Sequence, residues 1–125
     1  MTELKLMQLR HEINTWKRML GFMQEENVHQ KNRLSDVLKD RFDKKLLDGV
    51  ECFQTDFIKE DEVISELKNE VGELEYMLHS EIINGEEHNF PITRRIENIR
   101  KHIDSAEKDF TKMNIEFNHY LSENL

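Results

Sequence analysis

The sequence predicts an all-α fold, an antiparallel up-down-up three-helix coiled-coil-like bundle of long helices, built as one domain over residues 1–125. Three observations predict it. Apolar residues recur at alternating spacings of three and four along nearly the whole chain, which puts one stripe on one side of a helix. Glycine and proline together number only five, so little interrupts helical segments. The pattern breaks twice, briefly, into three segments of similar length, and short connections fold such segments back on each other.

The first segment carries the stripe Leu6, Leu9, Ile13, Trp16, Leu20, Met23, Asn27, Gln30, Leu34, Val37. The second carries Val50, Phe53, Phe57, Glu60, Ile64, Leu67, Val71, Leu74, Leu78, Glu81. The third carries Ile92, Ile96, Ile99, Ile103, Ala106, Phe110, Met113, Phe117, Tyr120, Asn124. These are the a and d positions of a heptad repeat. The polar members, Asn27, Gln30, Glu60 and Glu81, either fix register at a cost in stability or mark a wet rim. The phenylalanines 42, 53, 57 and 117, with Tyr120, should gather as core near the first turn, and Trp16 is a core residue.

The second break is explicit in "INGEEHNFPI": Asn84 and Gly85 tolerate the left-handed conformation that ends a helix, and Pro91 suits a first turn. The first break shows as a phase shift, because Leu34 and Val50 are both a positions yet lie out of phase with a multiple of seven. Asp43 could cap the second helix with Phe42 and Leu47 as a hydrophobic staple, while Asp48 with Glu51 is a rival capping box. The turn is placed within 39–43. The helices expected are 3–39, 44–84 and 91–123, each roughly 50–60 Å long at about 1.5 Å per residue. With Trp16 in its first helix and this topology, the chain resembles a spectrin-type repeat, which implies the bundle outline and no particular function.

Composition excludes several classes of function. Charged residues make up 35% of the chain and the net charge is −8, which works against binding to phosphate backbones. Arg94, Arg95, Arg100 and Lys101 cluster, but no exposed aromatic interleaves with them and an acidic segment, "KEDEVISELKNEVGELE", is expected alongside. Glu75 and Arg100, both at e positions, are the expected pair between those segments. No apolar run approaches the ~18–20 residues of a membrane span. The charged N-terminal segment has no signal-peptide core, and the one cysteine, Cys52, fits a reducing cytoplasm. No phosphate loop, nucleophile elbow or metalloprotease motif occurs, so no enzyme, no cofactor and no small-molecule substrate is expected.

Two main readings of function remain, with an acidic mimic that occupies a nucleic-acid-binding protein as a third. Glu26 with His29 and Glu116 with His119 each form Glu-x-x-His, the spacing of carboxylate-bridged di-iron helices, and Asp56 is expected near the same level. Register opposes a site within one chain: both glutamates are g and both histidines c, whereas adjacent parallel helices place g opposite e. A metal-binding bundle using these pairs across a dimer interface is the alternative. His11, His79 and His102 also lie off the stripe, and His88 falls in the turn. The leading expectation is a non-enzymatic protein–protein interaction or structural bundle, a homo-oligomer or the partner of another helix. Met19 (g), Phe22 (c), Ile58 (b) and Ile115 (f) lie outside the stripe, and Met19 with Phe22, three apart on one helix, form the candidate association patch.

Overall fold

The computed structural model describes residues 2–40, 44–84 and 89–124, and side chains outside residue 40 and residues 81–91. It contains α1 (Glu3–Asp40), α2 (Lys44–Asn84) and α3 (Asn89–Asn124), three helices packed against one another with no strand among the described residues. The bundle is up-down-up, so α1 and α3 run parallel. The heptad stripe is the reason: 24 apolar side chains form one continuous core, including Leu20 and Leu74 at full burial and Phe57, Val71 and Ile99 nearly so. Trp16 is 7% exposed and belongs to that core.

Boundaries follow the sequence closely. Since α1 ends at Asp40 and α2 starts at Lys44, the first turn falls where the phase shift put it. Asp48 and Glu51 lie inside α2, which removes the rival capping box. α3 starts two residues earlier than expected, at Asn89, leaving Pro91 within its first turn, where a missing N–H breaks no helical bond. The expected cap at Asp43, the staple with Phe42 and the conformation of Gly85 lie outside the described residues. So do the environments of Glu81 and His88.

The core extends beyond the stripe to Leu46, and Leu6 and Phe53 of the stripe are only partly buried. Near the end of α3, Leu121 is buried and Tyr120 only half-buried. A straight helix drifts by about 20° per heptad against a strict seven-residue repeat, which carries the buried face toward position 121 after four heptads. The aromatic cluster forms near the first turn. Phe57 and Phe117 meet edge to face with centroids 5.0 Å apart, and Phe53 lies 5.1 Å from Phe117 and 5.0 Å from Tyr120. Tyr120 donates a hydrogen bond to the Leu46 carbonyl at 2.8 Å, across the bare backbone of Gly49. Burial pushes its phenol pKa upward.

Ion pairs along the seams correct one expectation. Glu75 pairs with Lys17 of α1 at 3.1 Å, and Arg100 holds Glu12 of α1 with two hydrogen bonds, one of them 2.9 Å. That second contact raises the arginine's pKa. Each helix has two flanks. The e flank of α2 faces α1, as Lys17–Glu75, Lys31–Asp61 and Lys68–Gln24 show. Its opposite flank faces α3, as in His102–Glu70 and Arg95–Glu73. Glu75 therefore cannot reach Arg100, whose own e flank faces α1.

Candidate functional site

The outer face of α1 carries the least accounted-for chemistry. Leu4, Met7, Phe22 and Val28 are 67%, 65%, 63% and 50% exposed, and all sit at b, c or f positions, away from both neighbouring helices. The two predicted patch residues divide. Met19 is half-buried and packs against the core from the flank of α1, while Phe22 stands free in solvent. Arg18, Gly21, Glu25 and Val28 follow one another at spacings of three, four and three, with Phe22 beside Gly21, so they form one row along the outside of the helix.

Gly21 has no packing reason within the monomer. A Cβ built on it would meet nothing within 4 Å. Glycine in a helix interior costs roughly 0.5–1 kcal/mol relative to alanine, so here that cost has no return inside the bundle. Gly49 is the contrast, since its Cβ would fall 2.5 Å from the ring of Tyr120. Sequence reading found Phe22 because it breaks the stripe. It passed over Gly21, Leu4, Met7 and Val28, because an isolated glycine or apolar residue in a polar face carries little signal until burial is known.

The remaining off-stripe apolar residues are Ile58 on α2 and Ile115 on α3, 58% and 64% exposed, joined by Tyr76 at 72%. Ile58 edges an open trough between α1 and α2 with Leu34, Leu38 and Phe57. Ile115 is surrounded by charged residues of α3, of which Lys108 pairs with Asp104 along the helix.

The Glu-x-x-His residues do not converge. His29 is exposed on α1, and His119 pairs with Glu123 at 3.0 Å. The expected levels are shifted: Arg33 reaches Asn118 at 2.8 Å, so His119 stands about one turn beyond His29. Asp56 and Glu116 share a groove between α2 and α3, away from both histidines of the motif. Among the described residues, no three His, Cys, Asp or Glu side chains come together in a way that could hold a metal. Cys52 is exposed with its thiol free.

A polar layer crosses the core beside the aromatic cluster. Asn27 and Gln30 are 0% and 1% exposed, so they are true core residues rather than a wet rim. Asn27 donates from Nδ2 to the Phe57 carbonyl at 2.9 Å and to Asp61 at 2.7 Å, leaving its Oδ1 without a partner. Gln30 donates to Asn114 at 3.0 Å and accepts from Arg33 at 3.0 Å. The Arg33 guanidinium also lies 5.9 Å from the Phe117 ring centroid, a cation–π distance. Glu60, the third stripe interruption, is half-buried in the α2–α3 groove with one carboxylate oxygen unpartnered. Its pKa is raised, first by burial and then by Asp109 and Asp56, against a smaller pull from Lys59. No helix among the described residues is long and apolar enough to cross a membrane. Compared with known proteins, the chain matches no family model, no curated protein and no solved structure.

Proposed function

We propose that this bundle is a non-enzymatic protein–protein interaction protein that self-associates through the outer face of α1. The observation that carries the reading is the distribution of exposed apolar side chains. Of the seven large hydrophobic residues exposed among the described residues, four lie on the outside of α1. Single exposed hydrophobics are ordinary, but several on one helix face suit a contact that another helix covers. The described grooves are open troughs between helices, which supports binding by surface rather than chemistry in an enclosed pocket. An exposed free thiol at Cys52 suits a reducing compartment, which supports a cytoplasmic location.

Fully burying a side chain such as Phe22 or Val28 contributes about 1.5–3 kcal/mol before the costs of association. That tips a weak contact, so the expected state is a dimer or higher oligomer at micromolar concentration. Sedimentation velocity of the wild type and of Phe22→Glu tests this. The variant should shift toward monomer with helicity unchanged. A wild type that sediments as monomer at high concentration would sink the proposal.

A further inference from the structure

We infer that the partner on this face is a second copy of the same chain, with the two α1 helices crossing antiparallel about a two-fold axis between Gly21 and Phe22. The inference rests on the self-association reading and specifies its geometry. Arg18 lies three residues before Gly21, and Glu25 lies three residues after Phe22. A two-fold axis midway between Gly21 and Phe22 therefore sets Arg18 of each copy against Glu25 of the other. Both side chains are exposed, and neither has a partner within the bundle among the described residues. An isologous interface must be complementary to itself, and this row of residues is.

The same axis explains the glycine. It sets Gly21 of each copy opposite Phe22 of the other, so the missing Cβ admits the facing ring and lets the two helices approach closely. Six residues further out on either side, Thr15 faces Val28, an apolar methyl against an apolar side chain, and both are exposed in the monomer. The other candidate faces lack this self-complementarity. On α2, Gly72 is equally open and stands one turn from the exposed Tyr76, but its surroundings are Glu62, Glu66 and Glu73, which would repel their counterparts in a second copy. On α3, Ile115 stands among charged side chains and no second large exposed apolar residue of that helix joins it among the described residues. One helix face against another buries less than the ~1,200 Å² of a standard interface, so the dimer is a weak one.

Charge exchange tests the geometry. Arg18→Glu and Glu25→Arg each turn two attractions into two repulsions, and each should raise the dimer dissociation constant by about tenfold. Mixed together, the two variants form a heterodimer in which both contacts are again between opposite charges, so mixing should restore wild-type affinity in sedimentation equilibrium. A second measurement does not depend on the charges: Phe22→Cys in a Cys52→Ser background places two thiols near the axis, and mild oxidation should give a covalent dimer. A wild-type dimer whose affinity ignores both charge variants, or whose mixture gains nothing, would overturn the two-fold arrangement while leaving self-association standing. Cysteine at position 22 that fails to cross-link within a persistent dimer would overturn it too. A wild-type monomer would remove both the geometry and the reading beneath it.

Discussion

Replacing Glu60 with methionine should stabilise the protein, and the gain should depend on pH. Glu60 occupies a core position of α2, where Val63, Ala106 and Met113 supply apolar walls and Asp56, Asp109 and Glu116 supply like charge, with Lys59 and Lys112 of opposite sign. One carboxylate oxygen is buried without a partner. An unmatched buried polar atom costs about 1–3 kcal/mol, and methionine has similar length, a flexible stem and no such atom. Glu60→Met should therefore raise unfolding free energy by about 1–3 kcal/mol at pH 7. The sign with pH follows from the raised pKa, whose first cause is burial. Above the folded-state pKa the residue is ionised in both states, and only the folded state is penalised. As pH falls through the window between that value and the ordinary 4.5, the folded chain takes up the proton first and the wild type gains stability. The advantage of the methionine variant should shrink across that window. Urea unfolding of both proteins at pH 7 and pH 4 measures it. A variant less stable than wild type at pH 7, or an advantage equal at both pH values, would refute the reasoning.

Trp16→Ala should cost about 3–5 kcal/mol in urea unfolding, through lost burial and the cavity left behind; a loss under about 1 kcal/mol would contradict its place in the core. Gly49→Ala should destabilise by about 1–3 kcal/mol even though alanine is the better helix former, because the Tyr120 ring is held by Phe53 and by its bond to Leu46 and cannot easily yield. Thermal unfolding that rises for this variant would count against that packing. Purified protein should carry no stoichiometric iron or zinc; elemental analysis near one metal per chain, abolished by His29→Ala, would revive the metal reading.

The architecture was legible because heptad spacing is a long-range signal repeated over many residues. Helix ends, the burial of Trp16 and the aromatic cluster all follow from it. What stayed illegible depends on a second helix. Asn27 and Gln30 announce themselves as interruptions, but only the nearness of Phe57, Asp61 and Asn114 gives their buried amide N–H groups acceptors. Partner choice for Glu75 and Arg100 turns on which flank of α2 faces which neighbour, and that depends on the handedness of the bundle, to which the heptad pattern is blind. Gly49 had no signal at all, since its role exists only once Tyr120 swings across it. On α1, the apolar excess at Phe22 was visible, while the open space around Gly21 exists only in the folded bundle.

The polar layer and the outer face of α1 are connected through register. Sliding α1 by one heptad along α3 would keep every a and d position matched, so the apolar stripe alone does not forbid it. The layer does. Such a slip would carry Gln30 from the level of Asn114 to that of the buried Leu121 in one direction, or away from the Asn118 that Arg33 needs in the other. Each orphaned amide would cost about 1–3 kcal/mol. The same bonds fix the rotation of α1 about its own axis, because Asn27 and Gln30 must both point inward, toward α2 and α3 respectively. With that rotation set, Arg18, Gly21, Phe22 and Glu25 have nowhere to lie but outside. The residues that lower the stability of the core thus also hold the outer row in a single presentation, as the proposed pairing of this surface with its own copy requires.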